Sequence, residues 1–344
     1  MAEPGSNNTT LIVFDGNLTG IQWNILAGLR LFTCTTTFSL NVAVLTVFIM
    51  TKKLHTPFNV YLINLLVADI VYVSLSSFQG VIEWLKPNWW GGFALCCVYK
   101  YGINAPAACM IWSQVLVTVN RVWAVTWPHL YRTHHTARCA VLTCTAMWMV
   151  IHAICVPYLI LDSWWDLLPG SLYGCFFNSE AHLLYTQIIE ISMADFPALF
   201  IIVTYPYLLW MTLNRRHRPT RPCHRRGSAP VSSGGPLDKE HRTAFLVLTL
   251  LTISVIIFLV PLPLVMMIGL ANSWLAASAS FRASLWLLEI QAAADTVIIF
   301  VSVKDLRDTV AQTLCCRRGR GPDRRFSRNS VGSIGLNIMF ICGK

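Results

Sequence analysis

The sequence predicts an all-α membrane protein built as a bundle of seven membrane-crossing helices. Three observations carry that prediction. Hydrophobic residues make up 55% of the 344 and charged residues only 12%, about half the charged share of a water-soluble domain. Seven stretches are apolar over the roughly 20 residues that a hydrocarbon layer requires. The basic residues collect in alternate loops, which marks one side of a membrane.

The seven spans are read as 23–50, 57–82, 94–127, 138–161, 183–213, 243–270 and 281–303. Phe245 to Leu270 contains no charged residue. The third and fifth exceed what a bilayer needs, which predicts tilt or extension beyond it. The runs are too long, and too free of two-residue alternation, for an outer-membrane barrel. With the N-terminus outside, all 26 lysines and arginines except Arg30, Lys86, Lys100 and Arg282 fall on the cytoplasmic side. The net charge of +10 is therefore a topology signal, and no nucleic-acid binding is read into it. The first 20 residues lack a basic start and an apolar core, so they do not read as a cleaved signal peptide. They hold three N-x-[ST] sequons, at Asn7, Asn8 and Asn17, on the external side where glycans are added.

Of the 12 cysteines, Cys34, Cys109, Cys144 and Cys155 sit inside apolar runs and read as small core residues. Cys96 or Cys97 opens the third span externally, and Cys175 lies in the external loop after the fourth. An oxidising exterior permits a bridge there. Cys315 and Cys316 follow the last span among basic residues, a setting that suits palmitoylation. Trp84, Trp89, Trp90, Trp164 and Trp165 gather near the external interface and read as an aromatic belt.

Several motifs stand in order along these spans. Asn120-Arg121-Val122 ends the third, with Pro128 eight residues after Asn120. Cys96 lies 24 residues before Asn120, and Trp89 seven before that. Asn41 is in the first span, LINLLVAD ends at Asp69 in the second, and Trp148 is in the fourth. Pro197 and Tyr205 stand eight apart in the fifth, Pro261 is in the sixth and Asp295 in the seventh. In order and spacing this set resembles the rhodopsin-like (class A) G-protein-coupled receptors, over residues 23–316. The stretch LRDTVAQTLCC resembles that family's short membrane-parallel eighth helix. The resemblance implies four regions: an extracellular tail over 1–22, a transmembrane domain over 23–303, an amphipathic helix over 304–316 and a cytoplasmic tail over 317–344. It also implies a plasma-membrane location and a Cys96–Cys175 disulfide.

The departures are specific. Asn120 replaces the acid beside the arginine, and Val122 the aromatic residue. Leu259 and Val255 replace the aromatic switch residues before Pro261. Thr296 and Ile299 replace the proline and tyrosine after Asp295.

What the resemblance implies for function is an extracellular ligand, a heterotrimeric G protein as partner, and arrestin and receptor kinases as further partners, with membrane lipid around the bundle. Asn120, Arg121, Tyr205 and Asp295 would form the coupling switch. Arg121 would contact the G protein at the cytoplasmic mouth; a plain alternative is a cation that snorkels to the interface. Asp69, Asp295 and Asn41 would form a switch site that in this family holds a sodium ion, although Met110 stands where a serine often helps; no other cofactor is implied. An intramembrane acid is a functional candidate on physical grounds as well.

For the ligand, Glu289 lies six residues before Asp295, roughly 9 Å nearer the outside at 1.5 Å per residue. Glu190 lies seven before Pro197 at comparable depth. Either acid can meet a cationic ligand group, such as one on a peptide; alternatively it is protonated, faces water, or pairs with Arg30 or Lys100. Ile103 stands where amine receptors of the family carry an aspartate, which argues against an ordinary monoamine site, and Asn104 and Gln79 can add polar contacts. THHT at 133–136 reads as a basic loop. Residues 214–242 are basic and then Ser/Gly/Pro-rich, which predicts disorder, and Ser228 and Ser327 each follow two arginines as basic-directed kinases require. There is no HExxH, phosphate loop or nucleophile–base pairing, so an enzyme is not expected. The rival readings are a non-signalling relative of the receptors and a seven-span transporter or channel, but no repeat of broken helices of the transporter kind is visible.

Overall fold

The computed structural model describes residues 16–85, 92–164, 177–178, 181–216, 249–262, 264–265 and 279–318. Every described element is helical, and six helices are long and apolar enough to cross a membrane, with Thr249–Leu259 a shorter apolar helix in the place of the sixth span. The first is Gly16–Met50, longer at its start than 23–50; the second is Pro57–Leu85, the third Gly92–Thr126 and the fourth Ala137–Trp164. The fifth runs as Leu183–Glu190, a π turn over Ile191–Asp195, and Phe196–Arg216. The seventh is Ala279–Ser302, followed by a break at Val303 and the helix Lys304–Arg318. Pro128–His134 forms a short helix between the third and fourth, with proline at its first turn where the missing N–H costs nothing.

In hydrocarbon an apolar side chain gains nothing by turning inward, so polar and small residues mark the packed faces. The first helix shows this. Arg30, Cys34, Thr37, Asn41, Val44 and Phe48 are buried, a spacing of three and four that makes one stripe. Between them Leu29, Phe32, Phe38 and Ile49 are exposed toward where lipid would lie. The third helix is the axis of the bundle: Ala105 to Ile111 are buried without interruption, so that stretch has no lipid face. Small residues allow this. A Cβ placed on Gly102 would lie 2.5 Å from Leu75 Cβ, so the second and third helices meet there at a distance only glycine permits.

Polar side chains then cross-link the packed helices. Trp148 Nε1 donates to Asn64 Oδ1 at 2.9 Å, and Asn64 Nδ2 donates to Ser113 Oγ at 2.7 Å, which joins the fourth, second and third helices. Cys34, Cys109, Cys144 and Cys155 are buried free thiols.

Two prolines shape the remaining helices. Proline lacks an N–H and clashes with the carbonyl four residues back. Before Pro197 the chain takes a π turn in which Phe196 N–H bonds the Ile191 carbonyl. Before Pro261 it does the same, with Val260 N–H on the Val255 carbonyl at 3.1 Å. One inserted residue absorbs each clash and rotates the helix beyond it.

Candidate functional site

At one end of the bundle the third helix presents Asn120 and Arg121, both buried. Asn120 is an amide where a carboxylate would have paired with the arginine, and its two polar atoms are taken by the short segment that follows. Its Nδ2 lies 2.8 Å from His135 Nε2, and Tyr131 donates its hydroxyl to Asn120 Oδ1 at 3.3 Å. Tyr131 stacks on His135 with ring centres 4.3 Å apart, Tyr61 covers it at 5.9 Å, and Trp123 meets both Tyr131 and His135 edge-on. Arg121 rests its guanidinium on the Phe58 ring, 3.1 Å from the centre, a cation–π contact. His135 lies between the third and fourth spans, and burial, aided by the charge of Arg121, holds its imidazole below the ordinary histidine range. THHT is thus more than a basic loop. The signal for it was Tyr131 on a helix that Pro128 starts and His135 four residues on, at that helix's C-cap, which brings the two rings together. At the same end Tyr205 donates to Thr249 Oγ1 at 3.3 Å and joins the fifth helix to the sixth.

The middle layer is polar and closed. Asp69 and Asp295 are both fully buried and close enough to interact. Gln114 Nε2 donates to Asp295 Oδ2, Ser254 Oγ reaches Asp295 Oδ1 at 3.4 Å, and Gln291 Nε2 donates to Gln114 Oε1 at 3.0 Å. Asn41 donates to the carbonyls of Thr37 and Ala292 at 2.9 and 3.4 Å. Both oxygens of Asp69, Asn41 Oδ1 and Gln291 Oε1 have no hydrogen-bond partner among the described residues. These are all oxygens, the donors a hard cation takes, so the residues present fit a sodium ion; Met110 offers only a soft thioether. Gln114 and Gln291 escaped the sequence reading because an isolated glutamine in an apolar run carries no pattern.

The other half of the bundle holds two buried ion pairs. Arg30 on the first helix donates its Nε to both carboxylate oxygens of Glu289 on the seventh, at 2.8 and 2.9 Å, and its Nη2 to Oε1 as well. Arg30 is 4% exposed and Glu289 0%. The expectation that Glu289 waits for a ligand cation therefore gives way to the alternative that Arg30 takes it. Lys100 on the third helix pairs with Asp162 on the fourth, both buried. Asp162 also accepts from the Asn178 N–H at 2.7 Å, and Phe177 lies under the Lys100 ammonium at 5.4 Å. Asp162 was not singled out from the sequence, because an acid near a helix end ordinarily faces water.

Glu190 and Asp195 bracket the π turn of the fifth helix. Glu190 Oε1 and Asp195 Oδ1 are buried atoms without a hydrogen-bond partner among the described residues. Ile103 and Asn104 are half-buried on the third helix. Gln79 lies within the second helix, but its side chain falls outside the described residues. Cys96 is disulfide-bonded and Cys97 a free thiol; Cys175 lies outside the described residues. So do Asn7, Asn8, Ser228 and Ser327, along with the side chains of Asn17, Cys315 and Cys316.

Comparison with known proteins gives a consistent result. The family described as 7 transmembrane receptor (rhodopsin family) matches residues 40–298. The chain is similar to the 5-hydroxytryptamine receptor 1E of Homo sapiens, 27% identical over 62% of this chain and 56% of that protein. It is similar to the B1 bradykinin receptor of Homo sapiens, 27% identical over 61% of this chain and 57% of that protein. With Dopamine receptor 2 of Drosophila melanogaster it shares 27% identity over 53% of this chain and 33% of that protein. The matched part thus spans between a third and a little over half of these relatives' lengths.

Proposed function

Because the chain belongs to the rhodopsin family of seven-transmembrane receptors, we propose that it sits in the plasma membrane with its N-terminus outside, binds an extracellular ligand and activates a heterotrimeric G protein from the cytoplasm. Its relatives are receptors and not enzymes. The observation that carries the reading is Arg121. A cation at the end of the central helix rests on an aromatic ring while its neighbour Asn120 is engaged by His135 and Tyr131. The cation–π contact with Phe58 is one that a conformational change can release. The ligand acts by binding the released state better than the resting one, and by no more than that difference.

On the ligand side, the cationic-ligand reading now rests on Glu190 and Asp195, whose unpartnered oxygens could accept donors from an ammonium or guanidinium group of a peptide. Asp69, Asp295, Asn41 and Gln291 would hold a sodium ion, whose role would be to neutralise two buried carboxyls in the resting state. Arrestin, receptor kinases acting at Ser228 and Ser327, glycans at Asn7, Asn8 and Asn17 and acylation of Cys315 and Cys316 belong to the same reading.

The test is nucleotide exchange by each of the main G-protein classes in cells expressing the chain, without ligand and against a peptide and amine library. Arg121→Ala at equal surface level is the zero. A response in any class that Arg121→Ala removes supports the reading. Surface expression and ligand binding with silence in every class would favour a non-signalling relative, to which the aliphatic Val255, Leu259 and Ile299, all fully buried where aromatic switch residues would stand, already lend support. Solute flux in liposomes would favour a transporter.

A further inference from the structure

The Arg30–Glu289 pair presents a problem of its own. Each charge alone would be costly at membrane depth, and together they are still weak evidence for stability, since apolar residues of equal volume commonly do as well. A buried pair of this kind is best accounted for by what it specifies. Here it specifies a shape. Arg30 Nε donates to both carboxylate oxygens, at 2.8 and 2.9 Å, and Nη2 shares Oε1, so the planar guanidinium lies against the carboxylate in a way a tetrahedral ammonium cannot reproduce. The rest of the cluster completes a closed receptacle. The Cys34 thiol, one turn along the first helix, reaches Glu289 Oε2 at 3.4 Å, and Tyr72 and Ser76 of the second helix are buried beside it. No part of Glu289 is exposed.

We infer that Glu289, with Cys34, Tyr72 and Ser76 around it, is a guanidinium-binding site whose resident occupant is the chain's own Arg30. The side chain acts as an internal ligand that ties the first helix to the seventh, and it closes this acid to outside cations. The inference rests on the receptor reading only for placing the pair in the ligand-facing half. A consequence follows for specificity. Of the acids the described bundle carries at this depth, Glu289 and Asp162 are both satisfied from within, by Arg30 and Lys100. Among the described residues, that leaves the fifth-helix acids Glu190 and Asp195, each with an unpartnered oxygen, for an external cation. A vacated receptacle should accept a small guanidinium or amidinium compound in place of the side chain.

The experiment uses the full chain in lipid nanodiscs and follows thermal unfolding by tryptophan fluorescence, with millimolar methylguanidinium as probe and methylammonium at equal concentration as control. Arg30→Ala should melt below the wild type and recover with methylguanidinium, saturably and by about 3 °C or more, with little response to methylammonium. Wild type and the Arg30→Ala/Glu289→Gln double variant should not respond. If Arg30→Ala ignores the probe, or if wild type and the double variant respond as strongly, the inference is overturned. Should Arg30→Ala not fold, the exchanged pair Arg30→Glu/Glu289→Arg decides by surface expression. Recovery over either single reversal supports the site, and no recovery removes it. None of these readouts involves a G protein, so a silent receptor would sink the proposed function and leave this result standing.

Discussion

Replacing Asn120 by aspartate changes one atom and the whole balance of the Arg121 end. In the structure the Asn120 amide lies 2.8 Å from His135 Nε2 and accepts from the Tyr131 hydroxyl at 3.3 Å. These are neutral hydrogen bonds, each worth about 0.5–1.5 kcal/mol net. A carboxylate of the same shape keeps the Tyr131 contact but cannot donate to His135. It instead draws a proton onto the imidazole and makes a charge-assisted bond, worth about 1.5–3 kcal/mol. It also places an acid beside Arg121. The net gain to the resting arrangement is about 1 kcal/mol, which reduces an active minority roughly fivefold, provided the contact is lost in the active state. The assay is ligand-independent nucleotide exchange in membranes, normalised to receptor number, with Arg121→Ala as the zero. Wild type should show measurable basal exchange and Asn120→Asp about a fifth of it. If basal exchange is unchanged in Asn120→Asp, and Asn120→Ala does not raise it, the Asn120–His135–Tyr131 cluster does not hold the resting state and the reasoning fails.

Further outcomes follow from the same geometry. His135 titrates below its ordinary value of 6.5 because it is buried near Arg121, so its neutral form stabilises the folded loop above pH 6.5, and that contribution is lost as the pH falls through the lowered value; basal exchange in permeabilised cells should rise on acidification below 6.5, and His135→Gln should flatten the profile. Lys100→Ala leaves Asp162 buried without its cation, a loss of about 3–5 kcal/mol; surface expression should collapse, and the apolar double Lys100→Met/Asp162→Leu should recover it more than Lys100→Ala does. Cys96→Ala should abolish surface expression while Cys97→Ala leaves it near normal; a mass-spectrometric map joining Cys97 to Cys175 would show the register to be wrong by one residue. Glu190→Gln should weaken a cationic ligand by about 1–3 kcal/mol, read as the shift in half-maximal concentration, and unchanged potency would leave the fifth-helix acids without a ligand role.

Hydropathy and the placing of charge are properties of the chain read in one dimension, and they settled a great deal. The number of spans, the clustering of basic residues in alternate loops and the placing of Arg121 at the end of the third span were legible before any helix was packed, and the ordered motifs resembled the rhodopsin-like receptors, the family that the comparison then showed. Asp69 and Asp295 were legible too, since an acid in an apolar run stands out. Partner choice was not. Arg30 and Glu289 are 259 residues apart, and Lys100 and Asp162 are 62 apart; each acid could have met lipid headgroups, water or a ligand instead. Which one it meets depends on how each helix is rotated about its own axis, where one residue is about 100°. That rotation is decided by close packing, as at Gly102 against Leu75, and is reset partway along the fifth and sixth helices by the π turns ahead of Pro197 and Pro261. The same holds for Asn120. Its identity was plain in the sequence, but its engagement with His135 and Tyr131 exists only because the short helix from Pro128 folds both rings back against the third helix.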